Sequence, residues 1–251
     1  MKIQDAVNIA RKTFEIEGYP GNLFSHIEKK ELADKNRIVL FKEDIDKLSG
    51  FIWYSSDEVA AICVNYRRPI GHQNFTLAHE IGHWIMHKGT NISDGSKIES
   101  MWGQRNTIEH EANSFARELL YPEIYCVEDF EKANRERLFD KDNRKELGVF
   151  INELCVKYTI SFDFALRRLL YKNKQVSILR TVRKEIEEAL GGKVSEIFDC
   201  DFYKVNLELD AYQRYLKPYK MLEEKVNYLV KNKAIGNATG ESILFRNGVN
   251  V

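Results

Sequence analysis

The sequence predicts an α+β fold, and three observations carry that expectation. Short apolar runs near residues 37–41, 50–54 and 59–65 read as strands of one small sheet. Two stretches that follow, around residues 75–88 and 107–121, repeat their apolar residues at helical spacing. Most of the chain beyond residue 145 keeps helical spacing as well, so a small sheet is followed by a mostly helical C-terminal part.

Residues 3–16 carry apolar positions at helical spacing until Gly18, Pro20 and Gly21 break the run. Arg37-Ile-Val-Leu-Phe41, Gly50-Phe-Ile-Trp-Tyr54 and Val59-Ala-Ala-Ile-Cys-Val-Asn65 follow as strands, the last two joined by turn chemistry at Ser55-Ser-Asp57. Next comes Phe75-Thr-Leu-Ala-His-Glu-Ile-Gly-His-Trp-Ile-Met-His87. Leu77, Ile81 and Ile85 recur at i, i+4 and i+8, Ala78, Gly82 and Met86 widen the apolar surface, and Gly89 supplies a stop signal. A mostly buried helix of about 14 residues is expected, with His79, Glu80 and His83 on it.

Two histidines four residues apart stand one turn above each other, so both imidazoles can reach one metal ion. Glu80, next to the first, can take a proton from a water on that ion without ligating it. Random order would place an H-E-x-x-H in roughly one such chain per hundred, so the surrounding helix gives the match its weight. A hydrolytic zinc site wants three protein ligands and one open position. The longer pattern H-E-x-x-H-x-x-G-x-x-H fails here, because Met86 and Gly89 stand where it needs Gly and His. His87 lies about 80° round from His79 and two turns along, a poor position for a shared ligand. The third ligand should come from a second helix over 107–121, whose stripe is Ala112, Phe115, Ala116, Leu119 and Leu120 and which Pro122 ends. Glu109 shares that inward face, and a metal ion would be a sufficient partner for a buried carboxylate. Glu111, about 200° round the helix from Glu109, is the alternative ligand. Asn113, one turn on from Glu109, is placed to hold an imidazole N–H of His79 or His83.

Asn-Phe-Thr-Leu-Ala-His-Glu-Ile-Gly-His, followed by Glu-His-Glu-Ala-Asn-Ser-Phe-Ala-Arg-Glu-Leu-Leu-Tyr-Pro, resembles the paired motifs of the ImmA/IrrE family of bacterial metallo-endopeptidases. The resemblance is strong over about residues 50–122, weak to about 172, and does not reach the last seventy-five residues. It places His79 and His83 on the family's histidine ligands, Glu80 on its general base and Glu109 on its glutamate ligand. Tyr121 stands where the family usually has Met. The resemblance implies a zincin-like fold, a Zn²⁺ cofactor, and a site-specific cut in a helix-turn-helix transcriptional repressor that relieves repression on a stress or mobile-element signal. It also implies an exposed sheet edge that holds the substrate as an added strand. His110, His72 and Tyr121 are candidates for oxyanion stabilisation from sequence proximity. The rival reading is a non-catalytic regulatory module on a metallopeptidase-like fold that contacts DNA or a regulator; Glu80, of no use to a scaffold, favours the enzyme.

Three regions are expected: a zincin-like core over 1–122, a helical region over 123–175, and a C-terminal extension or small domain of unknown role over 176–251. Residues 90–106 are polar and turn-rich and should link the two ligand helices as a surface or gating loop. Glu146–Tyr158 and Ser161–Tyr171 outline a helix-turn-helix, and seven basic residues with no acidic one lie between Phe164 and Lys184. Apolar bulk at Phe162, Phe164, Leu166, Leu169 and Leu170 favours core helices with a solvated basic face over DNA reading. Residues 185–210 reverse to acidic, and a helix is expected over 212–233 with an interruption near Pro218.

With 38 basic and 38 acidic residues, the whole chain carries no field that would select nucleic acid or a membrane. The four cysteines, Cys63, Cys126, Cys155 and Cys200, are widely spaced and read as reduced thiols. The N-terminus reads as an amphipathic helix and not as a signal peptide, and the longest apolar run, Val59–Val64, is far short of a membrane span. A soluble, cytoplasmic protein is expected.

Overall fold

A computed structural model describes residues 1–32, 37–43, 45, 47–56, 59–88, 107–198 and 218–246. The loop expected over 90–106, the stop expected at Gly89, the turn expected at Asp57, Cys200 and the stretch 199–217 lie outside the described residues.

Two helices open the chain, α1 (Ile3–Phe14) and α2 (Leu23–Glu28). Three strands follow, β1 (Ile38–Glu43), β2 (Gly50–Ser56) and β3 (Val59–Asn65). They form one sheet in the order β1-β3-β2, with β1 parallel and β2 antiparallel to the central β3. The expected pairing of the second and third strands is present, with Ile52 opposite Ile62. The fold is α+β, as the sequence predicts, with a single small sheet among the described residues.

Both faces of the sheet are covered. Ile38, Leu40, Ile52, Ile62 and Val64 join the main core, which includes Ala6, Val7, Ala10 and Phe14 of α1. The metal-motif helix α3 (Ile70–Met86) adds Leu77, Ala78 and Ile81 to that core. It starts five residues earlier than its apolar periodicity suggests, because Pro69 provides a suitable first-turn boundary. Val39 and Val59 point the other way, as strand alternation requires, and meet Leu229 and Ala234. Those come from the end of the chain, where α10 (Pro218–Lys231) and α11 (Asn237–Arg246) form a helical pair. The Lys225 ammonium of α10 reaches past the strand, donating to Leu40 O at 2.5 Å and pairing with the buried Glu31 at 3.0 Å.

The second ligand helix, α4 (Thr107–Leu120), packs along α3. Pro122 ends it and also begins α5 (Glu123–Arg135), a helix within the helical region expected over 123–175 whose bounds the sequence did not give. A proline fixes its own backbone in a conformation suited to the helix start, and the Glu118 carboxylate accepts the Glu123 N–H across the break. The helix-turn-helix outline is real as two helices, α6 (Arg144–Tyr158) and α7 (Phe162–Lys172). Ser161 caps the second, its hydroxyl accepting the Phe164 N–H. α7 buries Phe162, Phe164, Leu166, Leu169 and Leu170, and Arg168 turns inward to donate to Tyr121 O at 2.7 Å. The acidic residues missing from the basic stretch come from elsewhere: Lys172 pairs with Glu123, Arg183 with Asp163 and Glu187, and Lys184 with Glu188. α8 (Leu179–Leu190) packs on α6, and Leu179, Val182 and Ile186 belong to the main core; the one-turn α9 (Val194–Ile197) follows. Cys63, Cys126 and Cys155 are buried free thiols. Among the described residues no helix is long and apolar enough to cross a membrane.

Candidate metal centre

The rotation of α3 is fixed by buried side chains ahead of the motif. Gln73 donates to Tyr66 O at 3.0 Å and Arg68 O at 2.6 Å, fastening the helix to the turn that leads into it. Asn74 accepts the Leu23 N–H at 2.9 Å and donates to Gly21 O and Thr159 O at 2.8 and 2.9 Å, joining three distant segments. Two glycines allow close neighbours. A Cβ on Gly71 would lie 2.6 Å from the Ile160 backbone, and one on Gly82 would lie 2.9 Å from the Phe115 ring and 3.3 Å from Ala112 Cα. The second of these lets α4 approach near enough for short side chains to meet between the helices.

They meet at His79, His83 and Glu109. The two Nε2 atoms are 2.9 Å apart, and the Glu109 carboxylate oxygens lie 3.2 Å from His79 Nε2 and 3.4 Å from His83 Nε2. Two imidazole lone pairs cannot face each other at that distance alone, so a proton or a metal ion lies between them. Tetrahedral zinc with bonds of about 2.0–2.1 Å needs donor atoms about 3.3 Å apart, which these separations match. The residues fit the ion. His79 and His83 are buried while Glu109 is partly exposed, so the cluster opens to solvent on the α4 side. Asn113 Oδ1 lies 2.9 Å from His79 Nδ1, so His79 donates its Nδ1–H there and keeps Nε2 free as a ligand.

Electrostatics set the resting charges. Burial opposes ionisation of Glu109, but its hydrogen bonds to His79 and His83 win and hold its carboxyl well below the usual range. Burial also opposes charge on His79; the bond to Glu109 and the nearby Glu80 charge outweigh it and favour a held proton. At His83 burial prevails and favours the neutral ring. Glu80, buried beside them, is pushed up to about 7 by desolvation, with His79 opposing and Glu109 adding to the rise.

The other sequence candidates separate. Tyr121 is not brought to the cluster: it is fully buried, and its hydroxyl donates to Asp129 at 2.9 Å beside the tilted ring of Tyr158. His72 lies two turns before His79, with its Nε2 2.9 Å from Ser49 Oγ. His110 is exposed on α4 next to Glu109. Two residues weighed only as ligands occupy other positions. His87 Nδ1 lies 3.0 Å from His83 Nδ1, on the far side of that ring from the cluster, and His87 Nε2 lies 2.9 Å from Glu111. The spacing of His87 four residues after His83 was a visible signal for this contact, since i and i+4 side chains touch on a helix.

Known proteins share this part of the chain. The profile of the IrrE N-terminal-like domain, a family of M78 peptidases, matches residues 33–170. Metallopeptidase ImmA of Bacillus subtilis (strain 168) is 28% identical over 93 residues, which span 36% of this chain and 52% of ImmA. The chain therefore aligns with about half the length of that relative. No solved structure matches it.

Proposed function

This chain belongs to the IrrE N-terminal-like family of M78 peptidases, and on that premise we propose that it is a zinc-dependent endopeptidase making a single cut in a partner protein. The observation that carries the reading is the convergence of His79, His83 and Glu109 to mutual distances a zinc ion requires, with Glu80 buried alongside. Bound zinc would supply a Lewis acid that polarises the scissile carbonyl and acidifies a water. His79, held by Asn113, and His83 present their Nε2 atoms, and Glu109 adds a charged oxygen. Glu80 takes the proton of the attacking water as the water oxygen bonds to the carbonyl carbon, then delivers it to the amine nitrogen as the C–N bond breaks. Burial raises its pKa in the metal-free protein, and a bound cation would oppose that rise and favour the basic form.

The sheet supports an extended substrate. On the β1 edge, Leu40 N–H donates to Glu31 at 2.9 Å and Leu40 O accepts from Lys225. Among the described residues β2 is the other edge, and Gly50 at its start sits against Thr76 of α3, one turn before Glu80. A locally unfolded segment added along β2 would run beside the metal helix, and a compact protein could not pair there. A helix-turn-helix repressor with an exposed linker, in the same reducing compartment as the free thiols, meets that requirement.

The test is co-expression with a candidate helix-turn-helix repressor that carries an exposed linker, read on a gel. One chelator-sensitive cut in the regulator is expected, with casein hydrolysed slowly if at all. Glu80→Gln should retain zinc near one per chain and lose cleavage by several orders of magnitude. Loss of zinc in that variant, or casein digestion at a comparable rate, would overturn the reading.

A further inference from the structure

We propose that His87 and Glu111 are positioning residues, a two-member relay that fixes His83 in the tautomer a metal ligand needs; this rests on the proposed zinc site. The assignment follows from which groups can donate. The Glu111 carboxylate only accepts, so the 2.9 Å contact requires His87 to carry its proton on Nε2. A neutral His87 then has a lone pair on Nδ1. The 3.0 Å contact from that atom to His83 Nδ1 needs one proton, which must sit on His83. His83 in turn keeps the lone pair of Nε2, the atom that faces His79 and Glu109. The order of protons is thus set from the outer carboxylate inward.

The two ligand histidines are held by different devices. At His79 the acceptor is a neutral amide oxygen from Asn113. At His83 it is a second imidazole, itself oriented by a carboxylate. The supports come from both helices, since His87 follows the last turn of α3 and Glu111 lies between Glu109 and Asn113 on α4. Glu109 and Glu111 point to different sides of α4, one to the cluster and the other to His87. A free ring at position 83 could tautomerise and present a proton where the ion needs a lone pair. The relay removes that choice, and outer partners of this kind are worth about 10–100-fold in metal affinity.

The experiment is zinc competition against a chromophoric chelator, with long-range ¹H–¹⁵N correlation spectra of the zinc-loaded protein. In the spectra His87 should carry its proton on Nε2 with no metal on either nitrogen, and His83 should carry its proton on Nδ1. His87→Phe, which keeps a ring but no acceptor, should bind zinc about 10–100-fold more weakly. Glu111→Ala should weaken it by several-fold, and Glu111→Gln should restore most of that loss, because an amide oxygen still accepts from Nε2–H. A His87 protonated on Nδ1 or bound to the metal would overturn the relay. So would wild-type affinity in both His87→Phe and Glu111→Ala. Should His87→Phe fail to fold, the half-exposed Glu111 pair and the wild-type spectra decide the matter. A wild-type chain that binds no zinc would instead bring down the proposed function, and the relay with it.

Discussion

At the scale of single residues, the centre is a place where one proton and one cation compete. In the metal-free protein His79 favours holding a proton beside an ionised Glu109. Zinc needs that nitrogen bare, so binding must expel the proton. Falling pH should weaken zinc binding, because the raised pKa of His79 makes its protonated form compete from higher pH than an ordinary histidine would. Calorimetry in buffers of different ionisation heat should register proton release on loading; a proton count of zero would contradict the assignment. The ligand set makes a second demand. Glu109→Ala removes a donor outright and should cost several orders of magnitude in affinity, whereas Asn113→Ala should cost about 10–100-fold. Equal losses in the two variants, measured by metal titration, would argue against Glu109 as a ligand.

At the scale of elements, α3 keeps glycines where helix propensity would prefer alanine by about 1 kcal/mol. Close packing explains them. A methyl at position 71 meets backbone atoms of Ile160 and Ser161 at 2.6 Å, which cannot rotate away. A methyl at position 82 meets the fully buried Phe115 ring, which can shift slightly, and Ala112 of α4. Gly71→Ala should therefore lower stability by more than the roughly 1–3 kcal/mol of ordinary overpacking. Gly82→Ala should lose less, but should weaken zinc binding by parting α3 from α4. Thermal melts and metal titrations of both variants check this; a Gly71→Ala protein more stable than wild type would show that the close approach is wrong.

At the scale of the whole molecule, the last helices finish the sheet that supports the centre. Leu229 of α10 and Ala234 of the turn after it cover Val39 and Val59, and Lys225 pairs with the buried carboxylate of Glu31. Glu31 has its pKa raised by burial, with Lys225 and the Leu40 N–H opposing the rise. Lys225→Met would strand that charge, and removing one member of a buried pair costs about 3–5 kcal/mol. The sign with pH follows from the raised value. A carboxyl whose folded pKa lies above its unfolded one costs stability while ionised, and the cost fades as pH falls through the folded pKa. The deficit of Lys225→Met should then be largest near neutrality and shrink in acid; denaturant melts across that range test it, and a deficit that grows in acid would refute it. Because α8 is part of the main core, a truncation meant to probe the tail should begin after residue 198.

The sequence by itself determined what depends on spacing along one chain segment: three strands, the helix that aligns His79 with His83, and an inward Glu109 with Asn113 one turn on. Those follow from fixed helical and strand periods, which no tertiary contact alters. What depends on contacts between segments was decided only by the tertiary structure. Tyr121 sits in sequence just past the ligand helix, yet Asp129 of α5 claims its hydroxyl. The basic run before residue 185 has no acidic residue within it, yet its Lys172, Arg183 and Lys184 pair with Glu123, Asp163, Glu187 and Glu188. His87 was legible as a poorly placed ligand and Glu111 as the alternative to Glu109; that they touch is a consequence of how closely α4 lies against α3. Periodicity fixes the direction a side chain leaves its own helix, and packing alone fixes what it meets there.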